Sequence, residues 1–106
     1  MSSKQEKLVE DLRSKTESGD AQWEPTEAEN QFALKLKKGI ILLEKIRDFF
    51  GREEFVIAIL NHEGEEIDRI EFGGDPTVAN LFRRIYRSSN RIDEQVDEII
   101  GELETL

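Results

Sequence analysis

The spacing of apolar residues changes twice along this chain, from helical to alternating at Gln31 and back to helical at Pro76. In the first segment, Ser3 to Ser18, Leu8, Val9 and Leu12 form a narrow stripe at helical spacing. Ser3 and Glu6 fit an S-x-x-E capping box, and Gly19 stands where a left-handed residue ends a helix. This helix, placed within residues 1–19, has so thin a stripe that it is expected to pack peripherally and fray. Residues 19–30 form a polar connection holding the one tryptophan, Trp23. Glu24 precedes Pro25 and is pushed out of the helical region, which predicts an extended loop pinned to the core by the indole.

Across residues 31–72 the alternation predicts four strands. Phe32, Leu34 and Leu36 alternate with Gln31, Ala33, Lys35 and Lys37, as a half-buried strand requires. Lys38-Gly39 turns into Ile40–Ile46, whose first four residues are apolar on both faces. A second turn, Arg47 to Glu53, contains Gly51, and Phe49 and Phe50 are expected beneath the sheet. Phe55–Leu60 is again apolar on both faces, and Asn61-His62-Glu63-Gly64 reads as a hairpin connection. Glu65–Phe72 places Ile70 and Phe72 on one side and loses its alternation near Ile67. Strands apolar on both faces belong at the centre of a sheet. The expected order is therefore an antiparallel meander, 1-2-3-4, with the two-faced strands inside.

After Gly73-Gly74, Asp75 suits an N-cap and Pro76 the first helical position. Val78, Ile85, Ile92, Ile99 and Leu106 then recur every seven residues as d positions. Phe82, Ser89, Val96 and Leu103 fill the a positions, and Ser89 is the one polar interruption. The pattern predicts one helix over residues 75–106, about 45 Å long and overhanging the sheet. The alternative is a break at Ser88-Ser89-Asn90, which are good capping residues, with the last segment folded back on the sheet.

Composition narrows the chemistry. The 106 residues make one α+β domain by size, residues 1–106, with 37% hydrophobic and 37% charged residues. The absence of cysteine excludes disulfides, thiolate zinc sites, iron–sulfur ligation and cysteine nucleophiles. A single histidine, His62, excludes a multi-histidine metal centre in one chain. No apolar run approaches the roughly 20 residues that span a bilayer, and the N-terminus has no apolar signal core. The expected location is cytoplasmic, without membrane association. A net charge of −9 repels duplex DNA and anionic lipid unless bases cluster.

Catalytic motifs are missing: no nucleophile elbow, P-loop, dinucleotide or EF-hand pattern occurs. Gly73-Gly74 resembles a phosphate cradle only until Asp75, which takes the helix N-terminus itself. Glu53-Glu54 and Glu65-Glu66 fall in or beside turns, where solvated carboxylates catalyse poorly. His62 sits in a turn without a motif partner. No cofactor is expected, and the chain reads as a non-enzyme.

One basic cluster exists, Arg83, Arg84, Arg87 and Arg91, of which Arg84, Arg87 and Arg91 share a face of a continuous helix. It is the candidate anion-binding surface, with Lys35, Lys37 and Lys38 nearby in charge type, and it supports the alternative of a nucleic-acid-associated regulator. The opposing expectation pairs these arginines with acids such as Glu94 or with a partner chain's carboxylates. Beyond Ile92 the chain carries Asp93, Glu94, Asp97, Glu98, Glu102 and Glu104 and no base. This polarity, basic then acidic, can set an antiparallel register between two copies.

The order Gly19-to-Trp23, Gln31-Phe32-Ala33-Leu34-Lys35, Asn61-His62-Glu63-Gly64 and Leu81-Phe82 with Tyr86 resembles a group of small bacterial α+β proteins without assigned activity. The resemblance implies an α-β4-α outline and no site. The function expected from the residues is a protein–protein interaction module working as a homodimer. Its candidate interface joins Ile92, Val96, Ile99 and Leu103 of the distal helix to Ile41, Leu43, Val56 and Leu60 of the central strands.

Overall fold

A computed structural model describes residues 3–106. Helix α1 spans Ser3–Glu17. Ser3, the expected N-cap, is itself helical, and the first two residues of the 1–19 segment, Met1 and Ser2, lie outside the described residues. Only Val9 and Leu12 of α1 are buried, as the thin stripe predicts. Gly19, at φ +83°, closes the helix end with its N–H donated to the Thr16 carbonyl at 3.2 Å.

The sheet has five strands rather than four, all antiparallel: β1 Trp23–Pro25, β2 Gln31–Lys35, β3 Gly39–Arg47, β4 Glu53–Asn61 and β5 Glu66–Gly73, ordered β1-β2-β3-β4-β5. The extra strand is the segment read as an extended loop. Trp23 pairs with Leu34 and Pro25 with Phe32. The indole packs against the core, and its Nε1 donates to Thr16 Oγ1 at 2.9 Å, tying β1 to α1. The meander order and the central place of the two-faced strands match the sequence expectation.

Register decides which residues share a face, because cross-strand partners point the same way. One row runs Trp23, Leu34, Ile41, Ile59, and the next Phe32, Leu43, Ile57, Ile70. These rows meet α1 and α2 (Pro76–Ser89) in a single core, in which Leu43, Ile57 and Val78 are fully buried. Phe82 of α2 is its aromatic hub, with ring centroids 5.5 Å from Phe32 and 5.7 Å from Phe55. Between β4 and β5 the register slips where Leu60 opposes Glu66 and Ile59 opposes Asp68. Ile67 is the extra residue of that bulge, which is why alternation fails there.

The C-terminal segment is two helices, α2 and α3 (Ile92–Glu104), not one. Asp75 caps α2, its Oδ1 accepting from the N–H groups of Thr77 at 2.9 Å and Val78 at 3.3 Å. At the other end Asn90 donates its backbone N–H and side-chain amide to the Tyr86 carbonyl. Arg91 then takes the left-handed conformation, φ 52°, and α3 restarts with Gln95 N–H on the Arg91 carbonyl. The polar Ser89 offers no apolar contact to hold the heptad seam across this point. Contrary to the folded-back alternative, α3 buries no residue. The molecule is accordingly elongated, 54 Å in its longest dimension, with a radius of gyration of 15.8 Å against about 13 Å expected for this length. No helix among the described residues is long and apolar enough to cross a membrane.

Candidate interaction surface

The groups with catalytic potential are solvated. His62 is exposed in the β4–β5 turn, 3.9 Å from the Glu63 carboxylate on its own loop. The turn is organised by Asn61, whose Oδ1 accepts from the N–H groups of Glu63 and Glu65. Glu53 is exposed and meets Lys45 at 3.7 Å, while Glu66 holds Arg69. No group of three His, Cys, Asp or Glu side chains among the described residues could hold a metal ion. The Asp75 carboxylate fills the N-terminus of α2, leaving no phosphate cradle after Gly73-Gly74.

The central-strand residues expected at an interface lie on opposite faces of the sheet. Ile41 and Leu43 belong to the helix-covered core and are unavailable to a partner. Val56 and Leu60 occupy the open face with Ile40, Leu42 and Ala58. The error is one of parity: Ile41 pairs with Ile59 and Leu43 with Ile57, not with Val56 or Leu60. The open face is also partly screened by its own polar side chains. Val56 and Ala58 are buried and the other three half-buried. Gln31 donates to Glu44 at 3.3 Å, Lys35 meets Glu24 at 3.4 Å, and Arg69, opposite Ala58, binds Glu66 at 2.9 Å. The Arg69 guanidinium is held above its ordinary pKa, first by its hydrogen bond to Glu66, with Glu44 and Glu71 adding weaker attraction. The two sheet edges are poor docking sites as well: β1 is three residues ending in proline, and β5 exposes Glu66, Asp68 and Glu71.

Helix α3 is different. Val96, Ile99, Ile100 and Leu103 form one apolar face, and all four are exposed, Ile99 at 57% and Leu103 at 61%. The opposite and flanking positions carry six acids and no base. Isolated helices of this length are marginal in water, so an unpartnered α3 lacks the packing that holds most helices together.

No protein-family model, curated protein or solved structure matches the chain.

The arginine cluster is divided by the bend. Arg91 lies in the connection instead of on the face of Arg84 and Arg87, and meets Glu94 at 3.9 Å. Arg87 reaches across the bend to Asp93 at 2.6 Å. Lys35 is engaged by Glu24, and Lys37 and Lys38 lie in the β2–β3 turn. What remains is a basic outer side of α2, with Arg83, Arg84 and Arg87 and no acid in the helix.

Two features escaped the sequence reading. Phe49 and Phe50 do not lie beneath the sheet; they stand at the tip of the β3–β4 hairpin, Phe49 97% exposed. Asp48 fixes this tip by accepting from the N–H groups of Phe50 and Arg52, and the Arg52 guanidinium lies 5.2 Å from the Phe50 ring centre. The signal was the Asp-x-x-Gly-type turn, in which the side chains between the turn anchors point outward. Ile100 joins the α3 face one position outside the heptad seam, legible only once a 3.6-residue period replaces 3.5.

Proposed function

We propose that the chain is a non-catalytic interaction module that pairs with a second copy of itself through α3. The observation that carries this reading is the apolar face of Val96, Ile99, Ile100 and Leu103, presented to solvent by a helix in which no residue is fully buried and only Ile92, at its start, is a half-buried apolar residue outside that face. These side chains are already about half covered by their helix, so burying the rest is worth about 1 kcal/mol each. That sum, doubled by two-fold symmetry, suits a reversible dimer better than an obligate one. Sheet-edge pairing is opposed by Pro25 and the β5 acids, which leaves the helical end of the molecule as the site of association. Sedimentation tests it: the mass should approach twice 12.3 kDa at tens of micromolar and return to one chain in Ile99→Glu, with the sheet still folded. A wild-type chain sedimenting at 12.3 kDa throughout that range disproves the reading.

A further inference from the structure

We infer that α3 of one copy docks along the outer side of α2 of the other, in a groove floored by Phe82 and Tyr86 and rimmed by Lys45, Arg83 and Arg87. The inference rests on the pairing proposed above and names the surface that receives the helix. The groove is a concavity of about 330 Å³ between α2, the end of the sheet and Ile92 at the start of the chain's own α3. Its floor is apolar and ordered: Phe82 and Tyr86 stack at 6.4 Å with their planes 23° apart. Tyr86 is exposed although it extends the aromatic hub of the core, so its ring is a ready contact for an incoming apolar side chain. The rim carries three cations, Lys45, Arg83 and Arg87, and one carboxylate, Glu53. Lys45 Nζ sits 5.5 Å from the Phe82 ring centre and is shared with Glu53, and Arg83, among the described residues, donates to Asn80 alone, at 3.4 Å.

Charge identifies the occupant. Helix α2 carries three arginines and no acid, whereas α3 carries six acids and no base. Two α3 helices set against each other would bring the flanking carboxylates of Asp97, Glu102 and Glu104 from both copies, six in all, to one seam with no base in either helix, an arrangement that like-charge repulsion disfavours. Against α2 the same helix sets Asp97 and Glu104 on one flank of its apolar face and Glu102 on the other, each beside an arginine or lysine of the rim. Arg87 shows the pairing already in miniature, since it binds Asp93, the first acid of its own α3, at 2.6 Å. Two-fold symmetry repeats the contact, α3 on α2 and α2 on α3, so that four helices pack with alternating sign.

A charge-exchange experiment tests this, because the symmetry makes a distinctive demand. Arg83→Glu places a carboxylate on the rim of the groove, and Asp97→Arg with Glu102→Arg places a guanidinium on each flank of the helix's apolar face. Each variant alone opposes itself at both contacts and should dimerise at least about tenfold more weakly than wild type. Mixed one to one, they should form a heterodimer of near wild-type affinity, since both contacts are again between opposite charges. Tyr86→Asp, which places a carboxylate on the floor, should weaken pairing in every combination. Raising sodium chloride from about 0.05 M to about 1 M should weaken the wild-type dimer about tenfold or more. Recovery in the mixture also establishes that both variants fold. A wild-type dimer that is lost in Ile99→Glu but unchanged, within about twofold, in Arg83→Glu and in the helix variant overturns the groove while leaving α3 as the interface. Weakened variants that fail to recover when mixed overturn it equally. A wild-type monomer removes the parent reading itself.

Discussion

At the scale of single residues, two glycines illustrate how the same substitution takes opposite signs. Gly39 opens β3 where it passes the backbone of Leu60 so closely that a β-carbon would lie 2.4 Å from the carbonyl oxygen. Gly39→Ala should therefore destabilise by about 1–3 kcal/mol, as overpacking does, lowering the urea midpoint with an unchanged slope. Gly101 lies inside α3 with open space around it. Gly101→Ala should add about 1 kcal/mol of helix propensity, visible as greater helicity by circular dichroism and, through a better-formed α3, as tighter dimerisation. Asp75→Ala is of intermediate kind. It removes the acceptor for Thr77 and Val78 and should cost about 1 kcal/mol of global stability, because α2 packs on the sheet and cannot fray independently.

Among the elements, those whose pattern is set locally were legible and those set by register were not. The change of period at Gln31 and at Pro76 located the sheet and α2, and two-faced Ile40–Leu43 and Phe55–Leu60 located the central strands. Strand β1 was missed because three residues ending in proline carry no alternation to count. The faces were mispaired because parity between strands depends on where each turn ends, and Ile41 could be matched to Ile59 only once that register was known. The break at Asn90-Arg91 was masked by a heptad that continues in phase on both sides of it. Among the candidate site residues, the α3 face was readable from its repeat, whereas the groove on α2 joins Lys45 of β3 to Tyr86, a juxtaposition no local spacing encodes. In the proposed dimer the bend also makes α3 the element most sensitive to association. Its amide hydrogens should exchange rapidly in dilute solution and become protected as protein concentration rises, while those of β3 and β4 stay protected throughout. Concentration-independent exchange across Ile92–Glu104 would speak against a partnered α3.

For the whole molecule, the nearest-neighbour order of the five strands has a kinetic meaning. Each strand pairs with the strand next to it in sequence, so no long loop must close before its contacts are gained. Low contact order of this kind favours rapid folding for a sheet protein. The core is complete without α3, which contributes no buried residue to it. In the proposed dimer a protomer would thus finish folding alone and meet its partner afterwards as a formed subunit. Refolding followed by the fluorescence of Trp23, which sits against the core at the α1–β1 junction, should show a fast phase whose rate ignores protein concentration. Association, followed by light scattering, should come later at a rate proportional to concentration. If the proposed dimer forms, the strand order thereby separates making the subunit from joining it, so a cell could hold a folded monomer in reserve and set the amount of dimer by expression level alone.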